Sequence, residues 1–102
     1  MTIFVSTPMT GRKEEDVWKD IEAVKKLYSS DKVIYSFDVK YPPINTKHPH
    51  LWYLGQAFQK MAEADKVVFI SGWDKSRGCM AEYDIAVKYN IEREYLNRNN
   101  LK

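Results

Sequence analysis

The chain has 102 residues, which is one domain's worth, with 44% apolar and 29% charged residues. The net charge of +2 comes from 16 basic residues interleaved with 14 acidic ones, so no basic block points to a nucleic-acid polymer. The single cysteine excludes an internal disulfide framework and any CxxC metal site, and no apolar run approaches the ~18 residues of a membrane span.

The chain opens directly on Thr2–Ser6 (TIFVS), a strand pattern with no basic, cleavable leader before it. This beginning and the lone cysteine lead us to expect a cytoplasmic, reduced protein. STPMTG follows, Ser6 to Gly11, in which Pro8 and Gly11 shape a turn and Ser6, Thr7 and Thr10 offer hydroxyls. Such a loop can wrap a sugar or a phosphate; equally, Thr10 can simply cap the next helix. Neither the Walker loop nor the GxGxxG dinucleotide fingerprint is present.

From Arg12 to Ser30, Val17, Ile21, Val24 and Tyr28 recur at helical spacing. Acidic residues gather at the start of this stretch and Lys25-Lys26 near its end, as the helix dipole favours. Lys32–Phe37 (KVIYSF) is another strand pattern. After it, DVKYPPINTKHPH spans thirteen residues with three prolines and two histidines, the composition of a long loop. Asp38 would project from the carboxyl end of that strand, either as an acid or sugar-binding group or as a turn starter. His48 and His50 lack the Cys or HExxH partners of a zinc site.

Leu51 to Ala64 carries a helical stripe of Leu51, Leu54, Phe58 and Met61. Lys66–Ser71 (KVVFIS) is a continuous apolar strand pattern, which suggests burial on both faces, as in a parallel sheet. Asp65, just before it, lies at the end of the sheet remote from any site and reads as structural. The stretch GWDKSRGCMAEYDIA then turns into a helix over Arg77 to Tyr89. A weak strand pattern follows at Ile91–Glu94, and the terminal NRNNLK reads as frayed.

Alternating strands and helices predict an α/β fold with a parallel sheet of four to five strands covered on both faces. In such sheets ligands bind beyond the carboxyl ends of the strands. This directs attention to the loops Ser6–Gly11, Asp38–His50 and Gly72–Arg77. In the last, Ser76 and Gly78 open a helix whose N–H groups can receive an anion, while serine is also an ordinary N-cap; both readings can hold at once. Glu82, one turn in, is either a solvated first-turn glutamate or a carboxylate looking toward the strand ends. The helix dipole should keep it ionised. Trp52, Tyr53, Trp73 and Tyr83 could stack on a base or pack between subunits. Cys79 sits where a thiol can be activated, but no histidine is placed to serve it.

Two motifs, IFVSTPMTG and EADKVVFISGWDKSRGCMAEYDIA, carry a resemblance to the nucleoside 2-deoxyribosyltransferase-like superfamily, closest to its small, often phage-borne branch. IFVSTPMTG is similar to an aliphatic strand followed by Ser-Gly-Pro-Met-Thr-Gly. The longer motif is similar to Ala-Asp, an apolar strand, Gly-Trp, then Ser-x-Gly-x-x-x-Glu with a small residue four later. Order and spacing agree over most of residues 2–90. The resemblance implies a flavodoxin-like three-layer fold and a homodimer or higher homo-oligomer. It also implies chemistry at the N-glycosidic bond of a nucleoside or nucleotide, by hydrolysis or transfer, with no cofactor.

By position, Glu82 matches the nucleophile, and Ser76 and Gly78 the turn that binds a phosphate or hydroxymethyl group. Ser6, Thr7, Pro8 and Met9 match the first sugar-binding loop. Asp38 and Trp73, taken from the loop positions and not from the resemblance, are the other expected substrate contacts. Two departures stand out. Thr7 replaces the usual glycine. Ala57 stands where characterised members carry the aspartate that helps to protonate the leaving base. Asp38, Asp74, His48 and His50 remain as replacements; without one, the chain would bind a nucleotide without turning it over.

Overall fold

The structure, a computed structural model, describes residues 1–37 and 41–101. Among these residues, four strands form one all-parallel sheet in the order β2-β1-β3-β4: β1 (Thr2–Ser6), β2 (Lys32–Ile34), β3 (Lys66–Ile70) and β4 (Glu92–Leu96). Three helices connect them: α1 (Glu14–Leu27), α2 (Pro49–Met61) and α3 (Arg77–Lys88). This is a flavodoxin-like α/β arrangement, and β1 is its topological switch point, since the chain proceeds from it to β2 on one side and returns to β3 on the other.

The side chains of β1 and β3 alternate between two cores. On one face, Ile3, Val5, Val68 and Ile70 meet Val17, Ile21 and Val24 of α1. On the other, Phe4, Val67 and Phe69 meet Ala57 and Met61 of α2 and Ala86 of α3. Burial on both faces explains the unbroken VVFI run, each such side chain contributing ~1.5–3 kcal/mol. By the same alternation Ser6 shares the α2–α3 face with Phe4, and Thr7 turns to the α1 face.

Local chemistry sets the helix ends. Glu14, Glu15 and Asp16 occupy the first turn of α1 and Lys25 and Lys26 its last, which complements the dipole. The N-cap of α1 is Lys13, with no side-chain cap bond, so Thr10 does not cap it. Pro49 begins α2, where its missing N–H costs nothing. Asn90, at φ 54°, takes the left-handed position after α3, and the Ile91 N–H closes on the Ala86 carbonyl to turn the chain into β4.

Three expectations shift. β2 ends at Ile34 rather than Phe37, because Tyr35 and Phe37 leave the ladder to flank the Trp18 ring edge-on at 5.4 and 5.2 Å. The last strand runs to Leu96, paired along its full length with β3. The described residues after it are not frayed: they form a 3₁₀ turn over Arg98–Leu101, and Arg98 is tied to α1 and to the end of β3. Asp65 is structural as expected, its carboxylate receiving the Thr2 N–H at 2.7 Å. Among the described residues, no helix is long and apolar enough to cross a membrane.

Candidate functional site

β1 ends in two consecutive hydroxyls, and each meets a buried carboxylate on its own side of the sheet. The Ser6 hydroxyl donates to Glu82 Oε1 at 2.6 Å, and the Thr7 hydroxyl donates to Asp20 Oδ2 at 2.6 Å. All four residues are buried.

Glu82 comes from the second turn of α3, which packs on the α2–α3 face. It is 7% exposed, so the surface reading of this glutamate does not hold. Removal from water pushes its carboxyl up to about 7, with the Ser6 hydrogen bond pulling the other way. The expectation of an ionised group held by the helix dipole is thereby corrected. Burial wins instead, and at neutral pH Glu82 is divided between its two protonation states.

Asp20 has the opposite electrostatics. Burial alone would raise it, but hydrogen bonds from Arg98, Thr7 and Arg12 outweigh that cost and hold it below the ordinary carboxylate value. Arg12 reaches it with Nη1 at 2.8 Å, and Arg98 grips both oxygens, Nε to Oδ1 at 2.9 Å and Nη2 to Oδ2 at 3.1 Å. Neither Asp20 nor Arg98 stands out in the sequence. The available signal is a charge at a stripe position of α1, between Val17 and Val24, where an unpaired carboxylate would be costly.

Ser76 caps α3, its hydroxyl accepting from the Cys79 N–H at 3.3 Å. The capping reading therefore holds, through a long bond. At Gly78 an added Cβ would meet nothing within 4 Å, so no packing demands a glycine there. Cys79 is buried; burial raises its thiol, partly offset by hydrogen bonding with Ser6 and Ser76, and this opposes a thiolate nucleophile.

The first loop is held from several directions. Arg12 Nη1 donates to the Pro8 carbonyl at 2.7 Å, and the Arg12 N–H closes on the Met9 carbonyl at 3.1 Å. Gly72, at φ 92°, lies so close to the Pro8 ring that a Cβ there would sit 3.3 Å from Pro8 Cγ, so the loops after β1 and β3 touch. Met9 packs on the α1 core. Trp73 is stacked on Tyr83 at 4.9 Å, with Phe69 and Tyr95 at 5.3 and 5.4 Å, so its ring already belongs to an aromatic group.

The structure thus brings Ser6, Glu82, Cys79 and Ser76 together on one face, with Gly78 opening the same helix. Thr7 turns to the other face with Asp20. Ala57 is a core side chain of α2, 2% exposed, against Phe4 and Met61. Of the residues that could replace a missing acid, Asp74, His48 and His50 are exposed, and Asp38 lies outside the described residues. Among the described residues, no three His, Cys, Asp or Glu side chains gather to hold a metal ion. An open depression of about 460 Å³ lies at the start of α1, lined by Lys13, Glu14, Glu15 and Trp18. It includes none of the buried hydroxyl–carboxylate pairs and is not the site.

Neither the curated proteins nor the solved structures yield a match to this chain. One family model does match, over residues 1–95, so the span from β1 into β4 is covered: the chain belongs to the family described as domain of unknown function (DUF4406).

Proposed function

We propose that this protein binds a nucleoside or nucleoside 5′-monophosphate at the carboxyl ends of β1 and β3 and acts on its N-glycosidic bond. The observation that carries this reading is the buried 2.6 Å bond between Ser6 and Glu82, which joins the two sequence motifs across 76 positions at the switch point of the sheet. Further support comes from the resemblance of those motifs to the nucleoside 2-deoxyribosyltransferase-like superfamily.

In the proposed reaction, ionised Glu82 attacks C1′ of the sugar through an oxocarbenium-like transition state. The C1′–N bond breaks, and its electron pair leaves with the base, which takes up a proton. The resulting glycosyl ester on Glu82 is opened by water, making the protein a hydrolase, or by another base, making it a transferase. The Ser6 hydroxyl, donating to one carboxylate oxygen, would orient Glu82 for attack. The first turn of α3, at Ser76 and Gly78, would receive the 5′-hydroxymethyl or phosphate group. No cofactor enters this scheme. Association into a homodimer or larger homo-oligomer is part of the reading, supported by the exposed Tyr41, Ile44 and Leu51.

An alternative reading has its own support. Ala57 is buried in the core where an acid would be needed, and no other acid is hydrogen-bonded to Glu82 among the described residues. That favours a pocket which holds a nucleotide without cleaving it. Incubation with a panel of deoxynucleosides and their monophosphates, with chromatography for free base and calorimetry for binding, separates the two. Base release lost in Glu82→Ala supports the enzyme. Binding without release supports the module, and neither signal across the panel refutes both.

A further inference from the structure

Arg98, in the 3₁₀ turn after β4, touches the end of β3 directly and reaches the loop after β1 through Asp20 of α1. Its N–H donates to Ser71 Oγ at 2.8 Å and its Nη2 to the Ser71 carbonyl at 3.1 Å, at the point where β3 gives way to its loop. The same guanidinium grips Asp20, and Asp20 in turn receives the Thr7 hydroxyl at the start of the loop after β1. Arg12 closes the circuit, donating to Thr7 Oγ1 at 3.1 Å, to the Pro8 carbonyl and to Asp20. The two loops meet where Gly72 approaches Pro8.

We propose that Arg98 and Asp20 form a two-point clamp that fixes the spacing of the loops after β1 and β3, and so positions Ser6 against Glu82 from the opposite face of the sheet. Both are positioning residues, since neither touches Glu82. Three features of the geometry argue for spacing rather than for bulk stability alone. Asp20 is buried, 3% exposed, yet its bonds go to Thr7 and Arg12 at the loop after β1 and to Arg98 of the terminal turn rather than into the apolar centre. Arg98 uses two nitrogens on two carboxylate oxygens, a fork that fixes direction as well as distance. Its other bonds go to Ser71, the first residue past β3. The clamp also gives the terminal segment a purpose: it links the two site loops through a part of the chain distant from both in sequence.

The test is amide hydrogen exchange on the full chain. In Arg98→Ala, exchange at residues 7–12 and 71–76 should quicken by about tenfold or more, while Ile3–Val5 and Val67–Phe69 keep their rates. Unchanged loop rates, or a uniform rise across the chain, would overturn the clamp. Arg98→Lys keeps the charge but lacks the fork, so it should restore little of the loop protection; full restoration overturns the two-point geometry. Should Arg98→Ala not fold, Thr7→Val, which removes only the two hydrogen bonds of the Thr7 hydroxyl, is read by the same criterion.

A turnover arm rests on the glycosidic-bond reading. There the clamp predicts a severalfold rise in KM in Arg98→Ala, with rescue by lysine as poor as in exchange. The exchange criterion decides the clamp whether or not the wild type releases base, so failure of one reading is distinguishable from failure of the other.

Discussion

Ser6 and Thr7 are neighbours in the chain, yet their side chains point to opposite faces of the sheet and engage carboxylates of opposite character. Among the described residues no arginine is bonded to Glu82 in its buried site, and burial raises its carboxyl from an ordinary 4.5 to about 7. The folded state therefore binds that proton more tightly than the unfolded chain does. The favourable contribution of Glu82 is complete below about 4.5 and is lost as pH rises through about 7. Glu82→Gln, which has no proton to lose, should then be more stable than the wild type at pH 8, by up to about 3 kcal/mol. Its advantage should fade toward pH 4.5; thermal melts at the two pH values check this, and an advantage independent of pH would refute the assignment.

Asp20 has the reverse linkage, because its folded value is depressed: its contribution is present above about 4 and lost as pH falls below that. Asp20→Asn leaves two arginines facing an amide and should cost about 2–4 kcal/mol at pH 7, measured by denaturant unfolding. Glu82 is legible in the sequence because of its motif. Asp20 is not, since a single aspartate in a helix otherwise reads as a solvated one; its meaning depends on Arg98, 78 residues away.

The helix that carries Glu82 separates capping from ligand binding. Ser76→Ala should cost about 0.5–1 kcal/mol, toward the lower end for a cap bond of 3.3 Å, and Ser76→Asp should recover most of it. Gly78→Ala is more discriminating. With open space at its Cβ position, alanine should stabilise the helix by about 0.5–1 kcal/mol. If the α3 N-terminus receives a phosphate, the same methyl should weaken nucleotide binding severalfold by calorimetry. A gain in stability with unchanged binding would leave Ser76 and Gly78 as helix chemistry alone.

Gly72→Ala should instead destabilise the protein by about 1–2 kcal/mol, because it combines φ 92° with the Pro8 contact. Boundaries are legible where pattern and pairing agree, as for β1, and not where a tertiary contact intervenes. KVIYSF continues to look like a strand past Ile34, but the pull of Trp18 on Tyr35 and Phe37 is invisible along the chain.

At the scale of the molecule, alternation of strand and helix is enough to predict the parallel sheet. The sheet order then places the loops after β1 and β3 at the switch point. The role of the terminal segment is not legible: NRNNLK is polar and has no periodicity, and the 3₁₀ turn over Arg98–Leu101 is held by Arg98 reaching α1 and the end of β3. The proposed function turns on a covalent bond between Glu82 and the sugar. That bond can be sought by quenching the protein in acid during incubation with a deoxynucleoside or its monophosphate and weighing the peptide that contains Glu82. This peptide should gain the mass of one deoxyribosyl or deoxyribosyl-phosphate group, with no gain in Glu82→Gln. Base release by a Glu82→Gln protein as fast as by the wild type, with no adduct in either, would contradict the covalent role of Glu82.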